Sequence, residues 1–286
     1  MVVGTTPPTT ALVSPRLRFH HLVGPDPATI RPVQVYVPLP NAPAPGHRYP
    51  VLYLLDGQNV FDRGPTGPTD GWRVHTAIER LVGRRRIDPP IVVAVGHAGA
   101  RRVDEFTPVP WRGRGGLADA FAALLVHTLK PFVDRAYPTR PEPAATAIAG
   151  ASLGGLCALH LALRHPGVFG NAAALSPSVW WAHGALQRDL AELRHALPVR
   201  LWLDVGTREA PALRQHVRAV VETLLDRGWH QHRTTRRATL RHLEAPRARH
   251  DEAAWRARLP RVLQFLFPPP PAARSRRRAR KIPAEA

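Results

Sequence analysis

Short apolar runs alternate along the chain with longer stretches in which apolar residues recur every three or four positions. Several runs, such as 51–55, 91–95 and 172–175, contain no polar residue, which is typical of parallel strands buried on both faces. The alternation of strands and helices predicts a mostly parallel central sheet with helices on both faces. The predicted strands are 33–37, 51–55, 91–95, 147–149, 172–175, 199–205 and 239–243, and the predicted helices are 74–82, 117–133, 156–164, 212–227 and 252–267.

One of these strands, 147–149, leads into a glycine-flanked serine. The sequence Gly150-Ala151-Ser152-Leu153-Gly154 stands between this strand and an apolar helix. A serine in such a strand-turn-helix is held in strained backbone geometry with its hydroxyl exposed, at a helix N-terminus that favours negative charge. The chain has only five serines, so a serine is less expected to fall into this pattern by chance. This scarcity favours a nucleophilic role for Ser152. Cys157, in the helix that follows, fits a small core residue.

A nucleophilic serine needs a general base, which in this type of sheet comes late in the chain. His250 lies between the predicted strand 239–243 and the last helix. There it could take the proton of Ser152 and return it to the leaving group. Two competitors, His242 and His232, lie within or before that strand.

The acid that orients the histidine should follow the strand 199–205. Glu209 lies in the loop after this strand, and Asp204 lies near the strand's end. The carboxylate must reach the histidine ring across the top of the sheet, which favours the loop position. On this ground we expect Glu209 to be the acid, with Asp204 as the alternative.

An oxyanion hole requires two backbone N–H groups. One is expected from Leu153, the residue after the nucleophile, and the other from a loop after an early strand. The strand 51–55 is followed by Asp56-Gly57-Gln58-Asn59, in which Gly57 permits a sharp turn and Gln58 could donate its N–H. Asp-Gly is also common in simple turns, so this stretch indicates an oxyanion loop only in combination with the Ser152 motif.

The formal net charge of +19 raises the question of a nucleic-acid partner. Only two of the 40 basic residues are lysines, and the chain has 32 prolines, a composition typical of a high-GC bacterial genome. No recognised nucleic-acid-binding motif accompanies the charge, so we regard a nucleic-acid partner as unfavoured. The chain has a single cysteine, which excludes an intramolecular disulfide and gives no support to a cysteine-based metal site. We expect no metal and no cofactor.

The two ends of the chain differ in composition from its middle. Residues 1–14 are rich in Thr and Pro, and 268–286 are rich first in Pro and then in Arg, so we predict both to be disordered. Residues 15–267 form the predicted domain. No run approaches the roughly 18 apolar residues of a membrane span, and residues 1–14 lack the features of a signal peptide, so a cytoplasmic location is expected.

Seven stretches of the chain resemble, in the same order, those of the esterase D and enterochelin esterase-like family of α/β-hydrolases. This group contains ferric enterobactin esterases, feruloyl and acetylxylan esterases, and mycolyltransferases. The stretches are 49–62, 102–108, 130–137, 150–155, 175–181, 204–209 and 250–255.

The resemblance implies an α/β-hydrolase fold without a large cap domain. It implies Ser152, Glu209 and His250 as a catalytic triad, and it supports Glu209 over Asp204 independently of the geometric argument. The implied activity is that of a serine carboxylic-ester hydrolase that acts on a small-molecule ester through an acyl-enzyme. Two alternatives stay open: acyl transfer by the same triad, and a non-catalytic binding protein whose basic tail meets anionic partners.

Three further side chains are candidates for contact with the substrate. Trp180 and Trp181 could line the pocket as aromatic walls or pack in the core. Arg102 could contact a polar substrate, although an ion pair with the nearby Glu105 is the more economical interpretation. The sequence identifies neither the ester nor the oligomeric state.

Overall fold

The computed structural model describes residues 3–5, 16–22, 30–38, 46–61, 71–234 and 236–270. Its strands are β1 (Val3–Thr5), β2 (Leu17–Leu22), β3 (Arg31–Tyr36), β4 (Val51–Leu55), β5 (Ile91–Val95), β6 (Pro110–Trp111), β7 (Arg114–Gly115), β8 (Thr146–Ala151), β9 (Asn171–Leu175), β10 (Arg200–Gly206) and β11 (Leu240–Ala245). Its α-helices are α1 (Val74–Gly83), α2 (Arg102–Phe106), α3 (Ala118–Leu124), α4 (Lys130–Ala136), α5 (Leu153–Arg164), α6 (Trp181–Ala191), α7 (Pro211–Asp226) and α8 (Glu252–Leu266). A π-helical turn, Leu125–Leu129, joins α3 to α4.

Within these ranges, nine strands form one sheet in the order β1-β2-β3-β5-β4-β8-β9-β10-β11. Six neighbouring strands, β5, β4, β8, β9, β10 and β11, are parallel to one another. At one side of them β3, β2 and β1 extend the sheet in antiparallel pairs. The carboxyl ends of the six parallel strands therefore meet at one edge, where a site is expected. The predicted mostly parallel sheet is present.

Helices cover both faces of the sheet. One core cluster includes side chains of α3, α5, α6 and α7, and a second cluster on the other face includes side chains of α1 and α8. Strands β4 and β5 are buried at every position, which explains why their sequences show no polar alternation. In the described ranges, no helix has the length and hydropathy needed to cross a membrane.

The ends of the chain are described only in part. Val3–Thr5, within a segment for which the sequence predicts disorder, instead form an edge strand paired with β2. The physical reason is that β2 offers an open row of backbone groups, which even a Thr-rich segment can pair with. The rest of the predicted disordered segments, up to residue 14 and from 271 onward, lies outside the described residues.

A buried ion pair ties the antiparallel part of the sheet to α2. Arg31, at the start of β3, donates to both carboxylate oxygens of Glu105 at 2.8 and 2.6 Å. Both side chains are buried, at 1% and 6% exposure, and the Arg31 guanidinium also lies 4.9 Å from the centre of the Phe121 ring. Removal of one partner would leave the other charge desolvated and unpaired.

We predict that Glu105→Leu lowers the free energy of unfolding by about 3–5 kcal/mol. The double variant Arg31→Met, Glu105→Leu should recover most of this loss, because no buried charge is then left alone. Urea unfolding measures both. Arg218→Gln, which breaks the exposed pair of Arg218 with Glu244, serves as the control and should have little effect. Equal losses in the single and double variants would contradict the prediction.

Candidate active site

Ser152 occupies a sharp turn between β8 and α5. Its backbone angles are φ 55° and ψ −121°, a combination that non-glycine residues rarely adopt. Glycines flank the turn because a side chain does not fit there: a Cβ at Gly150 would collide with the carbonyl of Gly154, and one at Gly155 would lie 3.2 Å from the carbonyl oxygen of Gly150. The turn places the Ser152 hydroxyl at the carboxyl edge of the sheet.

His250 and Glu209 complete a hydrogen-bonded line with this serine. The His250 Nε2 atom lies 3.1 Å from the Ser152 Oγ, and the His250 Nδ1 atom lies 2.8 Å from a Glu209 carboxylate oxygen. The three residues come from loops after β8, β10 and β11, and strands β8 to β11 are neighbours in the sheet. The structure thus brings together the nucleophile, base and acid that the sequence predicts. The competitors lie elsewhere: His242 is within β11, and the ring of His232 accepts the backbone N–H of Thr234.

The Glu209 carboxylate is buried and well supplied with hydrogen bonds. Besides His250, its other oxygen accepts the Ser176 hydroxyl and the Gly206 N–H, each at 2.6 Å. Burial by itself raises the pKa of Glu209, but the hydrogen bonds from His250, Ser176 and Gly206 outweigh it, so the pKa lies below its usual value. Glu209 is therefore an ionised group facing the imidazole.

Asp204 lies behind Glu209 rather than against the histidine. Its carboxylate accepts the indole N–H of Trp202 at 2.9 Å and lies 3.1 Å from the Nε of Arg258. Burial raises the pKa of Asp204 to about 6, in spite of the Arg258 charge. Of the two carboxylates that the sequence offers, Glu209 is the one that contacts His250.

The two candidate oxyanion donors lie on neighbouring segments. Gln58 is in a 3₁₀ turn, Gly57–Asn59, directly after β4, and Leu153 is the first residue of α5 after β8. Strands β4 and β8 pair in parallel register, so both segments leave the same edge of the sheet. They also touch, because a Cβ at Gly154 would lie 2.9 Å from the carboxylate of Asp56.

Glu252 joins the Gln58 turn to the histidine loop. One of its carboxylate oxygens accepts the Asn59 side-chain amide at 3.0 Å, and the other accepts the indole N–H of Trp72. Asp251 caps the same helix, α8, by accepting the Ala254 N–H at 2.8 Å. Sequence reasoning did not assign a role to Glu252, although its position two residues after His250 could have drawn attention to it.

Arg102 and Glu105 do not pair with each other, which corrects the sequence-based expectation. Arg102 instead donates two hydrogen bonds to Asp56, at 2.6 and 2.7 Å, and Glu105 pairs with Arg31. The actual partners are 46 positions from Arg102 and 74 positions from Glu105 along the chain. Local sequence patterns do not predict pairs at such separations. Asp56 has a left-handed backbone, and its ion pair with Arg102 holds the turn that contains Gln58.

The two tryptophans that follow Ser178 differ in exposure. Trp181 is buried and donates its indole N–H to the Val109 carbonyl, so it supports the fold. Trp180 is 37% exposed and stands two residues after Ser178, whose hydroxyl lies 3.3 Å from the Ser152 Oγ. Trp111, in the β6–β7 hairpin, meets both indoles edge to face, a contact that the sequence analysis missed.

The chain matches a family model described as "Putative esterase" over residues 27–266. It belongs to this esterase family. The predicted family is thereby confirmed, and so is the prediction of an ester hydrolase at the level of the family. In the described ranges, no three His, Cys, Asp or Glu side chains cluster in the manner of metal ligands.

Two curated relatives carry more specific names. The esterase is 30% identical to the ferri-bacillibactin esterase BesA of Bacillus subtilis over 173 residues, which are 53% of this chain and 55% of the relative. It is 29% identical to the siderophore enterobactin esterase of Emericella nidulans, over 61% of this chain and 63% of the relative. The esterase thus spans between half and two thirds of the length of these two relatives.

Solved structures confirm the α/β-hydrolase fold. The BES protein of Bacillus cereus superposes on 91% of the esterase with a TM-score of 0.70 at 22% identity, and 99% of that chain is covered. The siderophore hydrolase EstB of Aspergillus nidulans superposes on 93% of the esterase, with 99% of EstB covered, a TM-score of 0.68 and 20% identity. At these identities the likeness concerns the fold.

The lowered pKa of Glu209 gives a testable dependence of stability on pH. The ionised carboxylate stabilises the folded state above its unfolded pKa of about 4.3, and this stabilisation is lost as the pH falls through the lower folded pKa. We expect Glu209→Gln to reduce the free energy of unfolding near neutral pH, with a gap to the parent that narrows below about pH 4. Urea unfolding across this range measures the gap. Glu192→Gln, an exposed control, should leave it unchanged, and a gap independent of pH for Glu209→Gln would contradict the assignment.

Proposed function

We propose that this chain is a serine carboxylic-ester hydrolase that works through an acyl-enzyme, with Ser152 as nucleophile, His250 as base and Glu209 as the orienting acid. The observation that carries the proposal is the hydrogen-bonded line from Ser152 Oγ through both ring nitrogens of His250 to Glu209. In this arrangement each of the two ring nitrogens of His250 has one partner: Nε2 faces the Ser152 hydroxyl, and Nδ1 faces the Glu209 carboxylate. Membership of the esterase family supports the same activity.

The chemistry follows from these contacts. Ser152 Oγ attacks the ester carbonyl while His250 Nε2 takes the hydroxyl proton. Glu209, ionised and buried, stabilises the imidazolium through its Nδ1–H. As the tetrahedral intermediate collapses, His250 returns the proton to the leaving alcohol and an acyl-Ser152 ester is left. Water then attacks this ester by the reverse proton transfers and releases the carboxylic acid.

The backbone N–H groups of Leu153 and Gln58 are the proposed oxyanion donors. Leu153 lies at the first position of α5, where the N–H is not used within the helix and the helix dipole favours negative charge. Gln58 is held by the ion pair of Asp56 with Arg102 on one side and by the contact of Asn59 with Glu252 on the other. Such fixed donors stabilise the transition state without a reorganisation cost during the reaction.

For the substrate, we propose an ester of the siderophore type, with an aromatic acyl or amide group next to the scissile bond. The names of the relatives support this class, since they include esterases of ferri-bacillibactin and enterobactin. Trp180, which is 37% exposed and stands two residues after Ser178, offers an aromatic surface near the proposed nucleophile. The guanidinium carbon of Arg112 lies 4.6 Å from the centre of the Trp111 ring, which in turn contacts Trp180. This positive charge beside the aromatic side chains suits an anionic aromatic group.

We predict that a fluorophosphonate labels the parent enzyme at Ser152 and that Ser152→Ala abolishes both labelling and ester turnover, with a loss of about 10⁴-fold or more in kcat. The reason is that, among the described residues, Ser152 is the only one whose side-chain hydroxyl or thiol is hydrogen-bonded to His250. Ser178→Ala is the matched control, because its hydroxyl lies beside Ser152 without a hydrogen bond to the imidazole in the described structure. Labelling that persists in Ser152→Ala, or an unlabelled parent that still hydrolyses esters, would exclude the mechanism. Product analysis with competing alcohols distinguishes hydrolysis from acyl transfer.

The substrate class is tested with enterobactin, free and iron-loaded, against short p-nitrophenyl esters. We expect Trp180→Ala to raise KM for the siderophore by about tenfold, with kcat and KM for p-nitrophenyl acetate little changed, because only the larger ligand reaches the aromatic wall. Chromatography of the products gives the rates. Leu117→Ala, another exposed apolar side chain, is the control. An equal loss on both substrates, or no siderophore turnover by the parent, would reject this substrate class while leaving the serine mechanism in place.

A further inference from the structure

A basic groove is lined by none of the three proposed catalytic residues, although the loop that carries His250 forms one of its walls. It has a volume of about 480 Å³ and runs between the loop after β11 and the outward face of α8. Its lining residues are Ala245, Pro246, Arg247, Ala248, Arg249, Asp251, Ala254, Ala257, Arg258 and Arg261. Four of the ten are arginines and one is acidic, so the groove has the charge of a site for anions.

The arginines at the rim are available to a ligand. Arg247, Arg249 and Arg261 are exposed, and none of their side chains has a hydrogen bond or ion pair with another residue in the part of the chain that the structure describes. The single acidic residue of the lining, Asp251, is occupied as the N-cap of α8. The small side chains of Ala248, Ala254 and Ala257 leave the space between the guanidinium groups open.

Arg258 provides the independent sign of a ligand. It is 4% exposed, and its Nε and Nη2 atoms face Asp204 and Ser176 at 3.1 and 2.8 Å. Its Nη1 atom is buried without a hydrogen-bond partner among the described residues, and the same holds for Nε, whose contact with Asp204 is an ion pair without hydrogen-bond geometry. Because Nη1 lies on the opposite edge of the planar guanidinium from Nε, this donor points away from the buried carboxylates. A buried charged donor without a partner is costly, and Arg258 is one of the residues that line the groove.

We propose that this groove is a binding site for a small multivalent oxyanion, such as a phosphate or a polycarboxylate, held by Arg247, Arg249 and Arg261 above the Arg258 guanidinium. Guanidinium groups bind such anions through paired N–H donors. The volume suits a small molecule, and the site is separate from the proposed ester site.

The test is isothermal titration of the full chain with inorganic phosphate, pyrophosphate and citrate, each at about 0.15 M salt to screen diffuse attraction. We expect dissociation constants near or below about 1 mM for at least one of them. The double variant Arg247→Gln, Arg261→Gln should weaken binding by about tenfold or more, since two of the three rim donors are lost. Both positions are exposed, so folding should persist, and urea unfolding verifies this.

Arg194→Gln, which removes an exposed arginine that does not line the groove, is the matched control. Binding that falls in the double variant and is retained in Arg194→Gln supports the site. Absence of binding by the parent, unchanged affinity in the double variant, or an equal loss in Arg194→Gln would overturn it. The titration is repeated with Ser152→Ala, so that the result stands whether or not the chain hydrolyses esters.

Discussion

Ser152 is held at φ 55° and ψ −121°, a conformation that costs a non-glycine residue about 1–3 kcal/mol. Its own backbone offsets this cost: the N–H donates to the Leu175 carbonyl, and the carbonyl accepts the N–H groups of Leu156 and Ser178. The turn is therefore fixed from β9 as well as from α5. The hydroxyl reaches its position through folding alone, and the histidine and oxyanion segments only need to meet it there.

From this turn a chain of polar contacts leads inward. His250 is partly exposed, whereas the side chain of Glu209 is fully buried, and beyond it Ser176 accepts hydrogen bonds from both Trp255 and Arg258. Arg258 also forms an ion pair with Asp204, so the two buried carboxylates of Asp204 and Glu209 share one arginine. In a medium of low polarity these contacts are strong, and removal of any member leaves another group unpaired. Asp204 thus supports Glu209 through Arg258 and Ser176.

The parts of this architecture that the sequence could predict are those fixed by local patterns. Strands 51–55 and 91–95 match the structure to the residue, because each is wholly apolar and is followed at once by Asp56 or Gly96. The pattern failed for β2, whose histidines hide its strand period, and for α6, where Ala182 and His183 have left-handed backbones. It also failed for the partners of Arg102 and Glu105, since pairing across the sheet depends on topology. The order of the motifs along the chain was enough to predict Ser152, Glu209 and His250 as the site. The contacts that hold these residues in place are long-range and were not predictable from the sequence.

Charge acts on two scales in this molecule. The formal net charge of +19 attracts any anion toward the surface, but salt screens this attraction within about 10 Å and it carries no selectivity. Selectivity requires guanidinium groups held at fixed positions, and the structure has two of this kind: Arg112 stacks on Trp111, and Arg258 lies between Asp204 and Ser176. Arg258 is the more constrained of the two, since it is buried and its Nε and Nη2 face the Asp204 carboxylate and the Ser176 hydroxyl. An anion that engaged its remaining edge would thus act on the same group that holds Ser176 against Glu209.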